Sequence, residues 1–234
     1  MSVDLQKAVG EMLKEPPLLH AGGSTVYGLD EAVIRFLSEA LPDSAKTLET
    51  GLGLSTVVFA LRSQEHTAIT PSQDQVLAFR AYCDAKGISH THVTSITDFS
   101  QQVLPTLDRA NLDLILIDGG HGFPIPAIDW FYTAPMLKIG GLLIIDDTHI
   151  WTGQELKRFL NDESDWEQIA TFPRSVVFRK TGPKHANEWS RQPYVVRMSR
   201  LPRLIDKLST ARSLLRSGQY SVLIGKLRSA IFGH

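Results

Sequence analysis

The chain has 234 residues, of which 43% are hydrophobic and 21% charged, enough apolar material for one sizeable core with appendages. A formal net charge of −1 excludes a surface built throughout for nucleic acid, so we expect no nucleic-acid partner. The single cysteine, Cys83, cannot form an intramolecular disulfide. The sequence shows neither the layout of a signal peptide nor an apolar run of about 18 residues. We therefore expect a cytoplasmic location.

The first 44 residues contain one clear helical pattern, at residues 29–41. Val33, Ile34, Leu37 and Leu41 recur at helical spacing, and acidic residues stand at the start of the pattern. We therefore assign residues 1–44 to a helical appendage that packs on the domain that follows, residues 45–182.

Between residues 45 and 180, short apolar or β-branched runs alternate with helical patterns, which is typical of a parallel sheet with crossover helices. Seven strands are predicted, at residues 46–49, 66–70, 92–96, 112–118, 142–147, 166–172 and 175–179. The fourth and fifth are continuous apolar runs, as expected at the centre of a sheet covered on both faces.

The last two predicted strands are separated only by Pro173 and Arg174. Because two residues cannot form a helical crossover, these strands should pair as an antiparallel hairpin at one edge. The predicted fold is a Rossmann-like α/β domain: a seven-stranded, mostly parallel sheet with a C-terminal antiparallel hairpin and helices on both faces.

A glycine-containing turn at residues 49–56 joins the first predicted strand to a helix. Gly51 and Gly53 would let the backbone approach a ligand, and the helix start offers unpaired N–H groups. Two glycines also suit a plain tight turn, so Glu49 decides the interpretation. A carboxylate at a strand tip suits a positively charged amino group and would repel a pyrophosphate.

This acid and glycine turn, together with Gly140-Gly141 before the fifth strand and the terminal hairpin, resembles the class I S-adenosylmethionine (SAM)-dependent methyltransferases. The resemblance implies that SAM binds at the turn. The sequence departs from the family at Thr70, where the second strand usually ends in an acid that binds the ribose. Ser72, Asp74 or the backbone must then take that role. The predicted cofactor-binding residues are Glu49, Gly51, Gly53, Ser55, Thr56, Ser72 and Asp98.

Carboxylates follow the fourth and fifth predicted strands, at Asp118, Asp146 and Asp147. The carboxyl ends of neighbouring central strands face the ligand crevice together, so these groups should converge. Like charges at close range are costly unless a cation is present, and oxygen ligands favour Mg²⁺, or alternatively Mn²⁺ or Ca²⁺. The alternative is that one aspartate caps a helix and another faces water.

The spacing of Asp118 and the Asp146-Asp147 pair resembles the metal site of catechol-type O-methyltransferases. Asp118-x-x-His121 resembles the macrolide-sugar O-methyltransferases. The resemblance implies that Asp118, Asp146 and Asp147 bind the metal and that Asp118 and His121 are catalytic, with His121 as the general base. His149 is a rival base, more simply explained as a loop residue.

Residues 183–195 follow Gly182, are polar and contain Pro183 and Pro193, which predicts a linker. Residues 196–234 carry eight Lys or Arg against one acid, so the remainder of the chain is acidic. Apolar residues recur there at helical spacing, which predicts two amphipathic helices broken near Ser217 and Gly218. Their basic faces could bind an anionic membrane surface or an acidic glycan, or pack on the acidic core or a second subunit.

These patterns predict a Mg²⁺-dependent SAM O-methyltransferase acting on a hydroxyl of a sugar, glycan or other small molecule. Metal-independent methylation of another nucleophile stays open, as does a non-catalytic SAM- or nucleotide-binding module tethered by its basic tail. Asp129, Trp130 and Trp151 are either acceptor-pocket or core residues.

Overall fold

The computed structural model describes residues 5–19, 28–183 and 188–232, and the chain divides into two compact units, residues 1–186 and 187–234. Residues 1–4 and 20–27 of the predicted appendage, 184–187 of the predicted linker and 233–234 of the tail lie outside the described residues. Helical structure begins earlier than predicted, because a short 3-10 turn at Trp189–Arg191 and helix α8 at Pro193–Met198 occupy much of the predicted linker.

The first unit is built on one seven-stranded sheet. Its strands are β1 (Ala45–Thr50), β2 (Ser63–Thr70), β3 (Val93–Thr97), β4 (Leu112–Ile117), β5 (Leu137–Ile145), β6 (Trp166–Thr171) and β7 (Val176–Lys180). The order is β3-β2-β1-β4-β5-β7-β6, in which β1 to β5 are parallel and β7 runs antiparallel to both of its neighbours. The predicted fold class, including the terminal hairpin at one edge, is confirmed.

Strand β5 begins five residues earlier than predicted. The sequence pattern places the Gly140-Gly141 pair before the strand, but the pair lies inside it, where Gly140 has φ of +85°. The register of β5 against β4 shifts between Leu112 and Leu114, so the glycines form an irregularity within a longer strand.

Crossover helices cover both faces of the sheet. They are α3 (Leu54–Arg62), α4 (Gln73–Lys86), α5 (Ser100–Val103), α6 (Ile125–Thr133) and α7 (Trp151–Asp162). Side chains alternate along β4, so Leu114 and Leu116 pack with α3 and α4, whereas Ile115 and Ile117 pack with α6 and α7. Burial of both faces explains why this strand is apolar throughout.

Two N-terminal helices extend the core on the α3 face. Helix α1 (Leu5–Lys14) buries Val9 and Met12, and helix α2 (Glu31–Ala40) buries Val33, Ile34 and Leu37 in the same cluster. The sequence pattern predicted α2 but not α1.

The second unit contains α8, α9 (Arg200–Arg216) and α10 (Tyr220–Phe232). The break between α9 and α10 includes Gly218 at φ of +72°, close to its predicted position. Among the described residues, no helix has both the length and the apolar character that a membrane span needs.

Candidate active site

A cleft of about 690 Å³ opens at the carboxyl ends of the central strands, a volume typical of small-molecule sites. The tips of β1, β2 and β4 and the loop after β3 form its floor, and the N-terminal segment around α1 and α2 forms one wall. The residues at the strand tips and loops include Gly51, Gly53, Ser55, Thr70, Ser72, Gln75, Phe99, Ser100, Gln101, Asp118, Gly119 and His121. The wall includes Leu13, Pro16, Pro17, Leu19, Gly28, Leu29 and Glu31.

Gly51 is the position in the turn that requires glycine. Its φ is +102°, and a Cβ atom there would lie 2.3 Å from the carbonyl oxygen of Asp118. The Gly51 N–H donates to the Ile69 carbonyl at 2.8 Å, which fixes the β1 tip against β2. By contrast, Gly53 has extended backbone with φ of −163°, and a Cβ there would meet nothing within 4 Å. Gly53 therefore leaves space at the start of α3, where the backbone faces the cleft.

Glu49 supports this turn from within the protein. It is 1% exposed, and it is not among the residues that line the cleft. Its carboxylate accepts hydrogen bonds from the hydroxyls of Ser55, at 2.6 Å, and Thr56, and lies 3.2 Å from Nε2 of His66. The structure thus surrounds the carboxylate with partners in the first turn of α3 and in β2 and keeps it out of the cleft lining.

The predicted cofactor residues divide into two groups. Gly51, Gly53, Ser55 and Ser72 line the cleft, whereas Glu49, Thr56 and Asp98 do not. Thr56 is fully buried, and exposed Asp98 accepts a hydrogen bond from the backbone N–H of Phe99 at 2.7 Å. Asp74 is exposed on α4 and also lies outside the cleft lining.

Sequence reasoning missed several lining residues around the second and third strand tips. The Thr70 hydroxyl donates to Oε1 of Gln75 at 2.6 Å, and the Ser72 hydroxyl accepts from the Gln75 N–H at 3.3 Å. These three side chains occupy the place where the family acid is missing. The sequence feature that could have indicated these residues is the position of Gln75 in the first turn of α4, directly after a strand tip. Phe99, 53% exposed, lines the cleft after β3.

Three chemically active side chains meet at the cleft. Asp118 and His121 line it, and Asp147 lies beside them, with Nε2 of His121 3.0 Å from Oδ2 of Asp147. One ligand atom from each residue lies within 4.8 Å of the others. Oδ1 of Asp147 is also 3.5 Å from Nδ1 of His149, a half-exposed side chain. The structure therefore groups His121 with two of the three predicted metal ligands.

The third predicted ligand, Asp146, is held differently. It is 6% exposed and accepts a hydrogen bond from the hydroxyl of Ser175, on the far side of the hairpin turn. It does not belong to the group formed by Asp118, His121 and Asp147.

Backbone features fix Asp147 and His121 in place. Asp147 has φ of +51°, and a Cβ on Gly153 would lie 2.8 Å from its carbonyl oxygen, so glycine allows α7 to pack against this loop. The hydroxyl of Thr152 donates to the carbonyl of His121 at 2.6 Å. The first turn of α7 therefore contacts both loops.

The carboxylates at the strand tips repel one another. Burial, followed by the charges of Asp146, Glu49 and Asp147, raises the pKa of Asp118 well above its ordinary value, and Arg174 offsets part of the effect. Burial also raises the pKa of Asp146, and the hydrogen bond from Ser175 offsets part of this rise. A cation bound at this point would relieve the repulsion.

The donor set fits a divalent cation. Octahedral Mg²⁺ with bonds of about 2.0–2.1 Å places adjacent ligand atoms about 2.9 Å apart, close to the 3.0 Å between His121 and Asp147. An imidazole beside two carboxylates suits Mn²⁺ or Fe²⁺ at least as well as Mg²⁺.

Arg174 is a positive charge that the protein itself supplies. It reaches the N-terminal segment, where it donates to the Gly28 carbonyl at 2.6 Å.

Asp129 is an unexpected buried acid behind the cleft. It is fully buried on α6, and neither carboxylate oxygen forms a well-aligned hydrogen bond. Burial raises its pKa to about 6, and interactions with the hydroxyls of Ser100 and Thr50 lower it in part. The structure places this residue in the interior and not among the cleft-lining residues.

We expect Asp129 to make the stability of the protein depend on pH. Because the folded-state pKa is raised from 3.8 to about 6, the folded protein binds more protons than the unfolded chain in this range, and stability falls as pH rises through it. The Asp129→Asn variant lacks this titration. Its stability relative to the wild type should therefore be about 2 kcal/mol more favourable at about pH 7.5 than at about pH 4.5.

Urea unfolding of both proteins at the two pH values measures this difference. An equal difference in free energy at both pH values would show that Asp129 ionises normally in the folded state.

Residues 48–148 match a family model described as a methyltransferase domain. No curated protein matches the sequence. Solved structures show the same fold. A Corynebacterium glutamicum protein is 15% identical with a TM-score of 0.57, over 80% of this chain and 94% of that chain. The O-methyltransferase TomG from Streptomyces achromogenes, solved with SAM, is 17% identical with a TM-score of 0.55, over 76% of this chain and 89% of that chain.

An rRNA methylase from Streptococcus thermophilus is also similar, at 15% identity and a TM-score of 0.51, over 68% of this chain and 100% of that chain. The expected lack of a nucleic-acid partner thus stays a prediction. Residues 48–148 thus match a methyltransferase domain, and the sheet order and the cleft agree with the fold of class I SAM-dependent methyltransferases. The resemblance predicted from the sequence is confirmed.

Proposed function

We propose that the protein is a SAM-dependent O-methyltransferase that acts on a hydroxyl group of a sugar or other small molecule, assisted by a divalent cation. The observation that carries this proposal is the convergence of Asp118, His121 and Asp147 at the edge of the cleft. A site that only binds SAM needs no histidine and paired carboxylates at the point where an acceptor would enter.

The cleft divides into a cofactor part and an acceptor part. The Gly51 turn and the open backbone at Gly53 would hold the amino acid portion of SAM, and Ser72 with Gln75 would hold the ribose hydroxyls. The SAM sulfonium supplies the electrophilic methyl group. Asp118 and His121 line the same cleft, with the Asp118 backbone against Gly51, so an acceptor bound to them would lie near the methyl group.

Asp118, His121 and Asp147 would hold the cation, which supplies a positive charge that lowers the pKa of an acceptor hydroxyl. In this arrangement, Asp118 and Asp147 would orient the acceptor, whose hydroxyl proton leaves to solvent as the methyl group passes from the SAM sulfur to the oxygen, with S-adenosylhomocysteine as the other product. N-terminal residues line one wall of the cleft, whose volume of about 690 Å³ favours a small-molecule acceptor.

A metal-independent reaction is the second candidate, and the His121–Asp147 pair favours it. A carboxylate 3.0 Å from Nε2 fixes the ring and leaves Nδ1 to accept a proton from the acceptor. Arg174 already offsets part of the rise in the pKa of Asp118 and of Asp146, so a positive charge is present without a metal ion.

Metal removal separates the two candidates. Methyl transfer from labelled SAM to a panel of sugars, phenols and polyols should fall at least about tenfold in EDTA and return with Mg²⁺ or Mn²⁺. Full turnover in EDTA would exclude the metal and leave His121 as the base. SAM binding without transfer to any acceptor would instead support a non-catalytic binding module.

A further inference from the structure

Helix α9 carries an apolar stripe along one side. Five of its apolar side chains are between 50% and 66% exposed, and no residue of the helix is buried. They are Leu201, Leu204, Ile205, Leu208 and Leu215. Because an α-helix turns by about 100° per residue, these positions fall within an arc of about 100°. The stripe is dense from Leu201 to Leu208 and recurs at Leu215.

Basic residues border the stripe on both sides. Arg200, Arg203 and Lys207 follow one edge, Arg216 lies at the other, and Arg212 falls within the arc between Leu208 and Leu215. The opposite face of the helix carries the small or acidic side chains of Asp206, Ser209 and Ser213. The helix therefore has an apolar centre, cationic flanks and a polar back, which is the arrangement of a helix that lies in a membrane interface.

Neighbouring segments of the second unit add further exposed aromatic, apolar and basic side chains. The guanidinium of Arg203 lies 5.4 Å from the ring centroid of Trp189, which is 47% exposed. Helix α10 continues the pattern with Tyr220 and Ile224, which are more than half exposed, and with the exposed Lys226. Tryptophan, tyrosine and basic residues are the side chains that settle at the headgroup level of a bilayer.

The charge of the chain is divided unevenly. Residues 196–234 carry a formal charge of +7, so the other residues carry −8. A partner of this segment should be anionic and should also accept apolar side chains. A second copy of the helix meets only the second requirement, because it would bring the two cationic flanks together.

We propose that α9, continued by α10, is a peripheral membrane-binding surface whose apolar stripe enters the headgroup region of an anionic bilayer. The cationic flanks contact lipid phosphates and carboxylates, and their long side chains reach the headgroups beside the buried stripe. This inference is independent of the reaction that the first unit catalyses.

Vesicle flotation of the full chain tests the proposal. Binding should be strong on phosphatidylcholine vesicles with about one third phosphatidylserine, weak on phosphatidylcholine alone, and reduced at high salt. Leu204→Gln with Leu208→Gln should weaken binding at least about tenfold, because it removes the centre of the stripe. The matched control, Ser209→Gln with Ser213→Gln on the polar face, should bind like the wild type.

These leucines are exposed, so the double variant should keep the circular dichroism spectrum and thermal midpoint of the wild type. Equal flotation of the leucine variant and the wild type would overturn the proposal. A dimer that dissociates in the leucine variant, with no vesicle binding, would assign the stripe to a second copy instead. Binding of RNA in preference to anionic vesicles would equally overturn it.

Discussion

Gly51→Val is expected to abolish SAM binding and to lower the free energy of unfolding by about 3 kcal/mol. The added side chain meets two obstacles at once: a φ of +102°, which L residues rarely adopt, and the Asp118 carbonyl oxygen 2.3 Å from the Cβ position. To remove the clash with Asp118, the β1 tip must separate from β4, and this movement would displace the floor of the cleft. Urea unfolding and calorimetric titration with SAM measure the two effects.

Gly53→Val is the matched control for this change. Its backbone is extended and its Cβ position is open, so stability should change by less than about 1 kcal/mol. Because Gly53 lines the cleft, the same variant should still lose SAM affinity. If Gly51→Val left stability and SAM affinity at the wild-type level, the turn described above would not be the cofactor site.

Asp147→Asn is expected to lower kcat by about 100-fold or more, with little effect on SAM affinity. An amide at this position weakens a cation site, and it also fails to fix His121 as a base, so both proposed mechanisms lose turnover. The comparison variant is Asp146→Asn. Asp146 is adjacent in sequence but bonded to Ser175, and an amide oxygen can still accept that hydrogen bond.

Steady-state kinetics of the two variants, with Mg²⁺ and with EDTA, decide between the residues. We expect Asp146→Asn to retain turnover within about tenfold of the wild type. Equal losses in both variants would return Asp146 to the set of metal ligands, as the sequence resemblance implied. Wild-type turnover in Asp147→Asn would remove this residue from the active site.

Patterns local in sequence predicted most of the sheet. Strand β4 was evident because burial on both faces requires apolar residues throughout, and the hairpin was evident because two residues cannot form a crossover. Local pattern also explains the errors. The Gly140-Gly141 pair is a strong turn signal, yet pairing with β4 holds it inside β5, and that pairing depends on residues more than twenty positions away.

The sequence predicted which residues belong to the candidate site better than it predicted the contacts among them. Asp118 and Asp147 were predicted to converge because strand tips meet at one edge, whereas His121 was predicted from its resemblance to the macrolide-sugar O-methyltransferases. The inward position of Glu49 depends on His66 in the next strand, and the hydrogen bond of Asp146 depends on Ser175 in the hairpin. The wall formed by the N-terminal segment depends on long-range packing of α1, for which the sequence offered no signal.

Calorimetric titration of the wild-type chain with SAM tests the central claim, that the cleft beside Gly51 is a methyl-donor site. We expect one SAM per chain, with a dissociation constant on the order of 1 µM to 1 mM, and competition by S-adenosylhomocysteine. A folded protein that gives no binding heat with either compound at millimolar concentration, and no methyl transfer, would contradict the account.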